Sequence, residues 1–255
     1  MHWLLLRGLA REVRHWEEFP ARLGEALPDA RIDCLDLPGV GTERARPSPR
    51  TVAGIVDDVR ARWEPLTREH PGPRAVLGVS LGGMVTMEWC ARHPGDFGRA
   101  VVINSSAICR TALEPRLRPR ALALLGLAGL LTPRATAAPF ERVVLRLVSN
   151  LRRGDRALIE RYAAIRRDAP ISHGAFAAQL AAAMRFRCPG PLGIPTLLLS
   201  SANDRMVPPA CSRRLERELD ARIELHPSAG HDLPLDDAAW VAEQVRDWTA
   251  SASVA

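Results

Sequence analysis

The chain has 255 residues, 47% of them hydrophobic and 25% charged, a balance that fits one soluble α/β domain with an insertion and excludes a disordered or fibrous chain. All 35 basic residues behind its net charge of +6 are arginine, and aromatics are only 5%, so no basic stripe interleaved with aromatics points to nucleic acid. Five cysteines, Cys34, Cys90, Cys109, Cys188 and Cys211, form no C-x-x-C pair and read as free thiols of a reducing compartment, not as a disulfide or zinc framework.

The first apolar run is too short for a signal peptide, and the longest, 121–131, is about half a membrane span, so a cytoplasmic protein without stable membrane association is expected. Residues 3–6 read as a strand ending at Arg7-Gly8-Leu9-Ala10. Trp16, Phe19, Leu23 and Leu27 then recur at helical spacing until Pro28 and Asp29. A second strand, 32–35, runs into the turn-rich loop Asp36-Leu37-Pro38-Gly39-Val40-Gly41. A helix over 51–70 turns Ile55, Val56, Val59 and Trp63 inward, and Pro71-Gly72-Pro73 separates it from a third strand, 75–79.

That strand breaks at Gly78-Val79-Ser80-Leu81-Gly82 and continues as a helix up to His93-Pro94-Gly95. A sharp strand-to-helix turn with Ser80 at its apex forces a strained backbone there and leaves almost no room two residues to either side, where Gly78 and Gly82 stand. A bare Gly-x-Ser-x-Gly is a weak signal, and an ordinary turn serine is the plain alternative; the buried strand before it and the helix after it strengthen the reading.

Residues 100–104 form a further strand, and the regular alternation to this point argues a parallel sheet covered on both faces. From 107 to 189 only helical segments follow. Strand patterns resume at 194–200 and 222–226, and Trp240, Val241, Val245 and Trp248 mark a closing amphipathic helix. The expected division is a core of 1–106 and 190–255 with a helical lid at 107–189. That lid holds fifteen arginines against five acids, net +10, while the remainder holds twenty against twenty-four, net −4. Its charge either attracts an anionic substrate or carrier protein, or solvates the outer faces of the lid helices. Leu122, Leu124, Leu125, Leu127, Leu130 and Leu131 line an acyl pocket, touch a membrane surface or pack a helix.

A serine hydroxyl needs a base to take its proton and a third group to hold that base. His231, in Ala229-Gly230-His231-Asp232, follows the last strand, and Asp204, in Asn203-Asp204-Arg205, follows the strand before it. Both would emerge at the sheet edge that carries Ser80. Among rivals for the base, His226 belongs to the final strand and points inward, His15, His70 and His93 sit by helices, and His173 lies in the insertion. Asp36 also follows a strand and is the alternative orienting acid, whereas Asp232 reads as a loop or capping residue. Neither a metal-ligand cluster nor a phosphate loop is present, so no metal or cofactor is expected.

The order Ser80, Asp204, His231, with the elbow and the Asp36–Gly41 loop, resembles the α/β-hydrolase superfamily over essentially the whole chain outside the lid. The layout is similar to short, cap-bearing carboxylesterases, including the pimeloyl-carrier-protein methyl ester esterases of biotin synthesis. The resemblance implies an α/β-hydrolase fold whose mostly parallel sheet has about six strands, because the chain begins at what would be the family's third. It implies a carboxylic ester hydrolase: Ser80 attacks the carbonyl, His231 relays the proton, Asp204 fixes the imidazole, and the N–H groups of Leu81 and Leu9 form the oxyanion hole. Arg7-Gly8 stands where the family usually has His-Gly. A serine at the elbow also argues against haloalkane dehalogenases and epoxide hydrolases, which use a carboxylate there. A carbon–carbon bond hydrolase, an acyl-carrier-protein esterase or thioesterase, and a non-catalytic ligand-binding protein on the same scaffold remain alternatives.

Overall fold

The computed structural model describes residues 1–109, 116–121, 123–124 and 137–251. Six strands, β1 (His2–Leu6), β2 (Arg31–Leu35), β3 (Arg74–Val79), β4 (Arg99–Ile103), β5 (Thr196–Ser201) and β6 (Arg222–His226), form one sheet in the order β2-β1-β3-β4-β5-β6. Every neighbouring pair is parallel, as the regular alternation predicts.

The period-two pleat shows why both faces must be covered. Trp3, Leu5, Ala75, Leu77, Val101, Ile103, Leu197 and Leu199 pack to one side, beneath α1 (Phe19–Ala26) and the C-terminal helix. Leu4, Leu6, Val76, Val102 and Leu198 pack to the other, beneath α2 (Val52–Glu69) and α3 (Leu81–Arg92). Nearly continuous apolar runs in the central strands follow from burial on both sides.

Helix starts follow local chemistry. The Thr51 hydroxyl accepts from the Gly54 N–H at 3.2 Å and caps α2. In the segment between β1 and β2 the structure departs from the sequence reading: Trp16 lies in a 3-10 turn (Val13–Trp16), and only Phe19 and Leu23 belong to α1. Pro20 lacks the N–H that a continuous helix would need, so the helix starts beside it, and Glu17 just before takes a φ of 51°.

Between β4 and β5 the described residues include α4 (Ala137–Val148), α5 (Arg156–Asp168) and α6 (His173–Arg185). Asp155 caps α5 through the Leu158 N–H at 3.0 Å, and Ser172 caps α6 through the Ala175 N–H at 3.0 Å. Leu145 of α4 and Leu158, Ile159, Tyr162 and Ile165 of α5 share a small core with Leu235. One isolated parallel bridge pairs Ile108 with Arg187. Of the six leucines singled out above, Leu124 lines a cavity, while Leu122, Leu125, Leu127, Leu130 and Leu131 lie outside the described residues. The chain closes with α7 (Pro209–Leu219), the short α8 (Leu233–Asp236) and α9 (Ala238–Ser251). All five cysteines are free, and among the described residues no helix is long and apolar enough to cross a membrane.

Candidate active site

Ser80 stands between the end of β3 and the start of α3 with φ 56° and ψ −114°, in the left-handed region that a side chain seldom adopts. Its N–H donates to the Ile103 carbonyl at 2.9 Å and its carbonyl accepts from the Ser105 hydroxyl at 2.8 Å, which hold the strained turn in place. The glycines are required by close approach. A Cβ on Gly78 would lie 2.2 Å from the Gly82 carbonyl oxygen, and one on Gly82 would lie 2.2 Å from that of Leu6.

Asp204 and His231 emerge from the ends of β5 and β6 and meet: His231 Nδ1 is 2.7 Å from Asp204 Oδ2. The other carboxylate oxygen, Oδ1, accepts from the N–H groups of Met206 at 2.7 Å and Val207 at 2.9 Å. Both side chains are buried, with Asp204 2% and His231 5% exposed. Burial alone would lower the imidazole pKa; the charge of Asp204 and its hydrogen bond outweigh this and raise it above the ordinary value near 6.5.

Ser80, His231 and Leu9 line one cavity of about 360 Å3 whose far wall is apolar, with Phe140, Val144, Leu147 and Met206. Gly8 brings the loop after β1 against the serine: a Cβ there would lie 3.2 Å from that of Ser80. Leu81 opens α3, so its N–H has no carbonyl one turn earlier in the helix to receive it. The turn that carries Leu9 is pinned on both sides, by the Arg11 N–H donating to the Gly8 carbonyl at 3.2 Å and the Ala10 N–H donating to Gln179 Oε1 at 3.0 Å.

The rival residues go elsewhere. Asp36 accepts from the Val13 N–H at 2.7 Å and the Thr42 N–H at 2.8 Å, a loop-fixing role at the end of β2. His226 is buried, as read, and its ring engages Asp237 and the Ala229 N–H. Asp232 lies in the loop at the N-cap position of α8, as read, but it makes no side-chain capping bond, and its carboxylate takes the guanidinium of Arg7.

Asn104 and Gln179 escaped sequence reasoning. Asn104 follows β4 with a φ of 44°; its Nδ2 donates to the His231 carbonyl at 2.8 Å and its Oδ1 accepts from the Ser201 N–H at 2.8 Å, so it staples the histidine loop to β5. Gln179 is a fully buried amide that reaches both the Leu9 turn and the Pro38 carbonyl, the latter at 3.1 Å. The available signals were a polar residue ending an apolar strand and a lone amide in an alanine-rich helix. Among the described residues no cluster of three or more His, Cys, Asp or Glu side chains is placed to hold a metal ion.

Comparisons with known proteins agree with this architecture. The monoacylglycerol lipase of Mycolicibacterium smegmatis is 25% identical over 97% of this chain and 87% of its own length. Shorter stretches are 32% identical to a bifunctional biotin biosynthesis protein of Teredinibacter turnerae (41% of this chain, 17% of that protein) and 36% identical to the pimeloyl-[acyl-carrier protein] methyl ester esterase of Chromobacterium violaceum (40% and 37%). The chain thus spans about a sixth of the first protein and over a third of the second. A thermophilic esterase from Thermogutta terrifontis shares the fold, with a TM-score of 0.74 and 21% identity over 98% of this chain and 90% of that one. The profile of the alpha/beta hydrolase family matches residues 3–244, and with a six-stranded parallel sheet, an elbow serine and a histidine held by an aspartate, the chain belongs to that family.

Proposed function

We propose that the protein is a cofactor-free serine hydrolase of carboxylic esters that works through an acyl-enzyme. The observation that carries the reading is the buried Asp204–His231 pair opening on the same cavity as an elbow serine. In this scheme Ser80 Oγ attacks the ester carbonyl while His231 Nε2 takes its proton. The N–H groups of Leu81 and Leu9 receive the oxyanion, donors of a kind worth about 3 kcal/mol each in the transition state. His231 returns the proton to the departing alcohol, then activates a water that releases the acid and restores the serine. The apolar wall suits a medium-length acyl chain, and free thiols suit a reducing cytoplasm. Residues 107–189 would form the lid over this cavity, with 1–106 and 190–255 as the core.

A fluorophosphonate probe tests the assignment. The parent is expected to label covalently and Ser80→Ala is not, with nitrophenyl esters of graded chain length then reporting acyl preference. A folded parent that takes no label overturns it in favour of a ligand-binding protein.

A second reading, an ester carried on an acyl carrier protein, is favoured by one feature. Arg142, Arg146, Arg153 and Arg156 line a depression between α4 and α5 together with one acid, Glu160, so its rim carries an excess of positive charge. One short-stretch relative is an esterase of this kind by name.

A further inference from the structure

The two loops that flank Ser80 are joined by one buried ion pair. Arg7, directly after β1, donates from Nη1 to Asp232 Oδ1 at 3.1 Å and from Nη2 to Oδ2 at 2.5 Å, and the residues are 2% and 4% exposed. The guanidinium also lies over the Trp16 ring, 4.6 Å from its centroid. Arg7 directly precedes the Gly8-Leu9 turn, and Asp232 directly follows His231. On its other side the Asp232 N–H donates to the Val148 carbonyl at the end of α4, at 2.7 Å.

We propose that Arg7 and Asp232 are positioning residues: their forked ion pair sets the distance between the Leu9 loop and the His231 loop, and each cancels the charge that the other would impose on the imidazole. The consequence for catalysis rests on the hydrolase reading above; the electrostatics do not. Three charged groups face the imidazole: Asp204 from the loop after β5, Asp232 on its own loop and Arg7 from the loop after β1. Arg11, with its partner Glu141 of α4, and Tyr162 of α5 stand behind the pair. Asp232 raises the imidazole pKa and Arg7 lowers it, so removing either partner should act with opposite sign.

The experiment is an NMR titration of the His231 ring in the full-length parent, Arg7→Met, Asp232→Asn and the double variant, with the pH dependence of nitrophenyl ester hydrolysis in parallel. Arg7→Met is expected to raise the histidine pKa and Asp232→Asn to lower it, each by about one unit, while the double variant returns near the parent. Because the loops are then untied, kcat/KM of the double variant stays at least ten-fold down. Equal-signed shifts, or no shift in variants that keep parental circular dichroism, overturn the proposal. Should Arg7→Met fail to fold, Asp232→Asn and Arg7→Lys decide. The first must lower the pKa, and the second, with charge kept and fork lost, must leave it near the parent while kcat/KM falls. A parent that hydrolyses no ester but shows the opposed shifts leaves the pair standing and sinks only the hydrolase reading.

Discussion

One oxygen of Asp204 is spent on the imidazole and the other on two backbone N–H groups, so the carboxylate has no freedom to rotate. An amide in its place cannot accept on both sides. Asp204→Asn is therefore expected to lower kcat by about ten-thousand-fold, the scale seen when an orienting carboxylate becomes an amide. It should also move the pH profile. With His231 as the proposed base, the parent's rate is expected to fall as pH drops through the His231 pKa, which Asp204 raises above the ordinary value near 6.5. Without that charge burial dominates, and the acid limb shifts to lower pH; a kcat/KM profile between about pH 5 and 9 reads it. Asp204 was legible because it follows a strand end in a short turn. The partnership of Arg7 and Asp232 was not, since an ion pair across 225 residues leaves no local signature and an aspartate before a short helix looks like a cap.

Helices α4 and α5 are fastened to the loop after β1 by a charged cluster that lies out of water. Glu141 of α4 is 1% exposed, accepts from Arg11 Nη1 at 2.8 Å and has Arg166 Nη1 of α5 at 3.6 Å. The aromatic rings of Tyr162 and Phe140 sit against these guanidiniums. Removing the carboxylate charge alone strands one buried cation, Arg11, and one half-buried cation, Arg166, so Glu141→Gln is expected to destabilise this region by about 3 kcal/mol. Denaturant unfolding measures the loss, and faster hydrogen exchange in α4 and α5 than in the sheet locates it. The caps at Asp155 and Ser172 emerge only in the structure, whereas the start of α2 was readable because Thr51 punctuates it. The break at Glu17 was not, because the apolar spacing from Trp16 to Leu23 continues across it and only the backbone turns.

At the scale of the molecule, charge is divided between the insertion, net +10, and the remainder, net −4. If the arginines around the depression between α4 and α5 receive an acidic carrier, turnover of a carrier-bound ester should weaken several-fold when salt rises from about 0.05 to 0.5 M, as the screening length shrinks to a few ångströms. Hydrolysis of a free nitrophenyl ester should barely change, and Arg142→Glu with Arg146→Glu should reproduce the effect of salt. Equal responses from both substrates would count against the carrier. The parallel sheet was readable because its central strands are buried on both faces and so are apolar nearly throughout. What the cavity accepts was not, since its walls come from segments whose proximity only the assembled chain reveals. The isolated bridge between Ile108 and Arg187 carries a last consequence. It brings the two ends of the segment proposed as a lid, 107–189, to adjacent points, with the Ile108 N–H on the Phe186 carbonyl at 2.9 Å and the Cys188 N–H on the Ile108 carbonyl at 3.0 Å. Closing so short a gap demands almost nothing of the platform below. On the proposed lid and hydrolase reading, a graft from a relative spliced at those two residues should change which esters are accepted only if it also carries the contacts that Glu141, Val148 and Gln179 make with the loops beside Ser80.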